Sequence, residues 1–375
     1  MPETTPIETA IVAVPETAGS ALYGMVDVLS ATATVWQTLM RTTQEPMPFR
    51  VTLVSTSRER FRCGHGIPVE PDAAIHDLDR ADIVIVPELW LGPDELLRGR
   101  YPALTDWIRA QYDAGAHVYS ACSGALLLAE TGLLDGRDAT SHWGYQDLFR
   151  RQYPQIRFHP EPNLCFGDAS GRIVTAGGTT SWHDLALHII ARHVSPGEAM
   201  RIAKVYLLKW HDEGQLPYEP LVRQQSHADA VVRGCERWLQ EHFRAPGAVA
   251  GVVSHAAIPE RTLKRRFKLA TGLAIIDYVQ NLRLEEAKRL LESSNEPVDE
   301  IGFAIGYEDP SFFRRLFKRR TGISPGRYRR VFQPIHHGMP GALAAGSTTR
   351  GARTGPAPTM GVQRGSHAAS RTTSK

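Results

Sequence analysis

The 375-residue sequence predicts an α/β protein: a doubly wound parallel-sheet domain followed by an all-α domain of tandem helix-turn-helix units. Three observations carry that reading. Over roughly the first 200 residues, short apolar runs alternate with helix-like stretches, the pattern of a mostly parallel sheet with helices on both faces. From residue 230 onward the apolar periodicity is helical, with no strand-like run of note. The charge divides at the same place. Residues 1–225 carry 19 Lys/Arg against 27 Asp/Glu, residues 226–333 carry 19 against 13, and the last 42 residues carry 5 against 0. A basic C-terminal part behind an acidic N-terminal part points to a polyanion as partner of the former.

In chain order, residues 8–14 (ETAIVAV) read as a buried strand, 49–55 (FRVTLVS) as a second, 81–87 (ADIVIVP) as a third and 116–120 (AHVYS) as a fourth. Residues 24–39 and 104–114 carry helix-like spacing between them. Over 209–229 the periodicity fades, and Gly214, Pro217 and Pro220 interrupt it, which predicts an inter-domain linker. The expected division is a domain over 6–205, a linker over 206–225, a second domain over 226–333 and a disordered tail over 334–375. That tail has very few large apolar residues, too few to offset the entropy of ordering.

Composition narrows the classes further. No apolar run approaches the ~20 residues of a membrane span. Residues 1–10 lack the basic and apolar regions of a secretory signal, so a cytoplasmic location is expected. Cys63, Cys122, Cys165 and Cys235 are far apart and form no Cys-x-x-Cys pair, which argues against a zinc ribbon or redox motif. Two weak metal-like patterns, Cys63-Gly64-His65 and Asp184 with His188, read as ordinary residues; no metal or cofactor is expected.

Two C-terminal segments share one plan. Residues 247–268 (GAVAGVVSHAAIPERTLKRRFK) and 297–318 (PVDEIGFAIGYEDPSFFRRLFK) each read as a short apolar helix, a tight turn and a second helix. Thr271-Gly272 and Thr321-Gly322 follow, and glycine can terminate each second helix. Leu263 and Phe267, spaced i, i+4, should face the core of the first unit, leaving Arg261, Lys264, Arg265 and Lys268 outward. Phe313 and Phe317 do the same in the second, leaving Ser311, Arg314, Arg315 and Lys318 outward. Arginine suits such a surface because its planar fork pairs with guanine O6 and N7 or grips phosphate. Residues 274–291 read as one joining helix of ~27 Å, close to the ~34 Å between successive major-groove faces.

Residues 301–329 (IGFAIGYEDPSFFRRLFKRRTGISPGRYR) resemble the signature of the AraC/XylS family of transcription regulators. The matching positions are Gly306-Tyr307, Ser311, Phe313, Arg315, Phe317-Lys318, Gly322, Ser324-Pro325 and Tyr328-Arg329. The resemblance implies a seven-helix domain. It implies that Arg261, Lys264 and Arg265, then Ser311, Arg314 and Arg315, read bases or phosphates. Pro310 stands where many relatives have a polar residue, so no base contact is carried onto it.

The sharpest N-terminal feature is residues 118–128 (VYSACSGALLL), a strand running through Ala-Cys-Ser-Gly-Ala into an apolar helix. Small residues around Cys122 permit a sharp nucleophile-elbow turn with the thiol at its apex. The helix start behind it should favour the thiolate and lower its pKa. His142 is a candidate partner for the thiol. These residues, with Gly177-Gly178 and Asp184-Leu185, resemble the ThiJ/PfpI-type, class I glutamine amidotransferase-like superfamily, whose sheet is flavodoxin-like. The order of the two domains resembles the GlxA-type subgroup of regulators. Two positions depart from the pattern: Ala21 stands where many enzymes have an acid, and Glu88 where relatives often have glycine. Glu88 can replace the missing acid, contact a cationic ligand, or be an ordinary loop acid. Cys122 can be a ligand-pocket residue kept from an enzyme ancestor, an active nucleophile, or a small structural residue.

The expectation is a transcription regulator that binds double-stranded DNA and is controlled by a small-molecule effector, nitrogenous or carboxylate-bearing, held near Cys122, His142 and Glu88. The resemblance implies a homodimer joined through the N-terminal domain, and RNA polymerase is a further candidate partner. The competing class is a Cys-dependent amidase or hydrolase with an appended DNA-binding module; a DNA-compacting protein is a third.

Overall fold

A computed structural model describes residues 5–43, 46–222 and 227–336. The four strands expected from the sequence form the middle of its sheet, as Ile7–Val12, Phe49–Ser55, Ile83–Val86 and His117–Ala121. Three short strands extend them. The spatial order is Leu164–Phe166, Ile173–Ala176, His117–Ala121, Ile83–Val86, Ile7–Val12, Phe49–Ser55, Ala73–Ala74. All pairings are parallel except that of the edge strand Leu164–Phe166 with Ile173–Ala176.

The apolar runs are continuous because both faces of the sheet are buried. Successive side chains point to opposite faces. Ala10, Val12, Val84, Val86 and Val118 therefore pack with Leu104, Ile108, Leu126 and Phe149 on one side. Ile11, Ile83, Ile85 and Tyr119 pack with Leu22, Met25, Leu185 and Ile189 on the other. Helices Pro102–Asp113, Gly124–Glu130 and Gln146–Gln152 cover the first face, and Gly19–Ser30, Trp182–His193 and Pro196–Tyr206 the second.

The single helix expected over 24–39 is two, Gly19–Ser30 and Val35–Met40. Between them Ala33 takes a left-handed φ of 66°, and its N–H donates to Oε1 of the buried Glu198 at 2.7 Å. A long-range carboxylate supplies the partner that a continuing helix would have offered, so local spacing did not reveal the break.

Of the expected linker 206–225, residues 206–222 are described, and they are fastened to the first domain. After Leu207 (φ 55°) the chain doubles back. His211 N–H donates to Asp184 Oδ1 at 3.1 Å, and Gln215 N–H to the Glu161 carbonyl at 2.9 Å.

Seven helices follow among the described residues: Ala230–His242, Ala248–Ala256, Glu260–Thr271, Ile275–Ser293, Val298–Ala304, Pro310–Thr321 and Pro325–His336. They enclose two separate apolar clusters. Ile275, Tyr278 and Val279 of the long helix enter the first with Leu263 and Phe267, while Leu284, Ala287 and Leu291 enter the second with Phe313 and Phe317. One rigid helix therefore sets the spacing of both units. Residues 334–336 form the end of the last helix; the rest of the expected disordered tail, 337–375, lies outside the described residues.

Candidate effector site and DNA-reading surface

The elbow forms where the sequence placed it. Cys122 sits at φ 53° between the strand His117–Ala121 and the helix Gly124–Glu130. A Cβ on Gly124 would lie 2.4 Å from the carbonyl oxygens of Val86 and Pro87, so only glycine lets this helix start against the neighbouring strand. That close approach brings the end of strand Ile83–Val86, and Glu88 just beyond it, beside the thiol.

Glu88 is therefore not a loop acid at the surface. It is 5% exposed, and its Oε1 accepts from Cys122 Sγ at 3.5 Å and from Thr179 Oγ1 at 2.9 Å. Burial pushes the Glu88 carboxyl above its usual range, opposed by the two hydrogen bonds. Cys122 goes the opposite way from the sequence expectation. Burial first, and then the Glu88 carboxylate, raise the thiol well above its ordinary pKa. Fixed negative charge and loss of water outweigh the short helix start behind it. The arrangement holds a protonated thiol on a buried acid, a poor nucleophile.

A cavity of about 210 Å³ opens beside this pair. Its walls include His142, Asn163, Thr179, His211, Gln215 and Tyr218. Thr179 is thus shared between the cavity and Glu88. Nδ1 of His142 accepts from Gly144 N–H at 3.0 Å, and its ring packs on Trp143 with centroids 4.6 Å apart. Of the three residues expected to meet an effector, His142 lines the cavity, Glu88 lies behind Thr179, and Cys122 lies behind Glu88.

Sequence reasoning missed the wall contributed by the connecting segment. Asp184 is fully buried and accepts from His211 through both the backbone N–H and the ring Nδ1, the latter at 2.8 Å. The Asp184 bond raises the His211 pKa against the opposing effect of burial. Asp184 thus serves His211, not His188. Between His211 and Gln215, the side chains of Asp212 and Glu213 turn to the second helix-turn-helix unit and hold Arg327 at 2.7 and 3.3 Å. Further on, Lys288 Nζ donates to the Glu219 carbonyl at 2.9 Å and Asn281 Nδ2 to the Leu221 carbonyl at 2.8 Å. The only local hint was Gly214, whose φ of +66° permits the turn.

On the DNA-binding part, Leu263, Phe267, Phe313 and Phe317 are fully buried, while Arg261, Lys264, Arg265, Ser311, Arg314 and Arg315 are all exposed. Gly272 and Gly322 end the two second helices at φ 73° and 77°. Lys264 pairs with Glu260 at 2.5 Å and Arg314 with Asp299 at 2.6 Å. Arg266 turns aside to grip Asp229, the N-cap of helix Ala230–His242, through two bonds of 2.8 and 2.7 Å.

Residues 252–331 match the helix-turn-helix domain family, and residues 31–192 match the DJ-1/PfpI family. The HTH-type transcriptional regulator CdhR of Pseudomonas aeruginosa is 30% identical over 298 residues, covering 77% of this chain and 84% of that protein. The chain belongs to the HTH-type transcriptional regulators. It joins a DJ-1/PfpI domain to an AraC-type helix-turn-helix domain, and is a DNA-binding regulator of transcription. The regulator GlxA of Rhizobium meliloti is 28% identical over 237 residues, 60% of this chain and 72% of that one. An AraC family transcriptional regulator of known structure from Pseudomonas putida is 18% identical, with a TM-score of 0.44 over 54% of this chain and 100% of its own. Among the described residues, no helix of this regulator is long and apolar enough to cross a membrane.

Proposed function

We propose that this regulator senses a small molecule in the cavity beside Glu88 and passes the result to its DNA-binding unit through the connecting segment. One observation carries the reading: the segment from His211 to Tyr218 is a wall of the cavity, and residues within it hold Arg327 of the DNA-binding unit. A ligand that binds one arrangement of that wall better than another must shift the equilibrium between them. The buried, protonated Cys122 supports a sensing role over turnover. Arg261, Lys264, Arg265, Ser311, Arg314 and Arg315 are the proposed DNA readers, because all six stand exposed on the second helices of the two units. The chain is taken to act as a homodimer, as its family resemblance implies, which sedimentation of the full chain tests. RNA polymerase is the remaining proposed partner.

The test selects a binding site from random duplex DNA with the full chain, then titrates metabolites against that complex. A compound should change the affinity, and Glu88→Gln or Thr179→Val should blunt the response while leaving binding without the compound intact. Turnover of amides that disappears in Cys122→Ala would sink the sensor reading.

A further inference from the structure

The side chain of Gln215 is itself held in the cavity wall the way a ligand would be. It is 3% exposed. Its Oε1 accepts from the backbone N–H of Trp143 at 3.2 Å. Its Nε2 faces three oxygens: the Ser141 carbonyl at 2.9 Å, the Pro162 carbonyl at 3.1 Å and Thr140 Oγ1 at 3.2 Å. Carbonyls only accept and a backbone N–H only donates, so the carboxamide has one orientation that satisfies both ends. The subsite is specific in what it takes. A carboxylate would set a second oxygen against two carbonyls. An ammonium would fill the acceptors and leave the Trp143 N–H without its carbonyl partner.

The backbone is shaped around this insertion. A Cβ on Gly177 would lie 2.4 Å from Cδ and Nε2 of Gln215. A Cβ on Gly214, already at φ +66°, would lie 2.5 Å from the Glu161 carbonyl oxygen. Thr140 and Ser141 are fully buried, so their oxygens depend on Gln215 for a donor or lose one. Two residues before Gln215, Glu213 accepts from Arg327 and from the Tyr218 hydroxyl at 2.9 Å. Gln215 thus lies two and three residues along the chain from the side chains that hold Arg327 of the second helix-turn-helix unit.

We propose that Gln215 is a built-in occupant of the effector cavity, and that the effector is a small molecule bearing a primary carboxamide that takes its place and frees the connecting segment. The proposal rests on the cavity being the effector site. An internal occupant competes with any external one, so the apparent affinity of wild type is reduced by the fraction of time the subsite stands open.

The test uses the full chain and three probes with the same three-carbon skeleton: propionamide, propionate and propylamine. Thermal-shift titration should show propionamide binding Gln215→Ala on the order of tenfold tighter than wild type, with no gain for the other two. Equal propionamide affinity in wild type and variant overturns the occupant, and a gain for propionate or propylamine instead overturns the carboxamide. Gln215→Glu keeps the side-chain volume and reverses the chemistry at one end. Deuterium exchange over residues 209–222 should accelerate in it, and unchanged protection overturns the latch even if Gln215→Ala folds poorly. A metabolite that alters DNA binding and stabilises wild type and Gln215→Ala equally defeats the latch and leaves the sensor reading standing. If no small molecule alters DNA binding while propionamide still favours Gln215→Ala, the sensor reading fails and the occupant survives.

Discussion

The two helix-turn-helix units share the helix Ile275–Ser293 but differ in what else holds them. The first is closed at its entry by Asp229, which caps helix Ala230–His242 and grips Arg266. The second is tied to the connecting segment: Arg327 to Asp212 and Glu213, and Lys288 to the Glu219 carbonyl. Their turns differ too. The first passes through Ala257 at φ 52°, the second through Gly306 at φ 92°. A Cβ on Gly306 would lie 2.3 Å from the carbonyl oxygen of Arg244, which precedes the first unit, and Arg283 Nη1 donates to the Gly306 carbonyl at 2.8 Å. The difference teaches that the connecting segment grips the second unit through charged side chains and meets the first through the apolar Val222.

The largest expected effect tests whether the units stand or fall together. Phe267→Ala and Phe317→Ala should each cost about 3–5 kcal/mol in urea unfolding, as for other fully buried phenylalanines. Because both clusters rest on one helix, hydrogen exchange should speed up in the unit that was not mutated as well. Loss confined to the mutated unit would break the picture of a shared scaffold.

A smaller contrast separates the two turns. Gly306→Ala should destabilise by more than ~1 kcal/mol, because alanine is strained at positive φ and its methyl meets the Arg244 carbonyl. Ala257→Gly should be neutral or gain a few tenths of a kcal/mol, since it relieves the left-handed strain. Equal effects of the two would remove the distinction.

DNA binding sharpens the comparison further. Arg265→Ala and Arg315→Ala should each weaken binding and, where the residue meets a phosphate, flatten the salt dependence by about one in log–log slope. Asp299→Asn, which releases Arg314, should raise nonspecific affinity slightly. An unchanged salt slope for both arginines would remove them from the phosphate contacts.

The smallest effect is one of pH. His211 has its folded pKa raised by Asp184, with Glu213 adding to this and burial and Lys209 opposing it. A raised pKa means its stabilisation is complete below the ordinary histidine value and disappears as pH rises through the folded value. The melting-temperature difference between wild type and His211→Ala should therefore shrink as the solution becomes alkaline. A difference that grows with pH would show that the protonated ring does not fasten the segment.

Legibility followed the range of the interactions. The DNA-binding half could be read because its signals are local: i, i+4 pairs such as Leu263 and Phe267, and the Thr-Gly helix ends. Four strands showed as apolar runs; Ile173–Ala176 did not, and its pairing in register with Val118–Ala121 makes it a strand. At the site, Cys122 and His142 were visible from the elbow pattern. Gln215 and His211 were not, because they lie in a stretch whose periodicity fades and gain their role from Thr140, Pro162 and Asp184, tens of residues away in sequence.

By itself, the sequence determined that a doubly wound sheet precedes two helix-turn-helix units, because hydrophobic period and turn chemistry are properties of neighbouring residues. Only the tertiary structure decided what surrounds the elbow. The sign of the Cys122 shift depends on burial and on Glu88 arriving from another strand, and the role of the connecting segment depends on two glycines that let Gln215 enter the cavity wall. Such outcomes belong to distances between chain segments, which no stretch of sequence encodes alone.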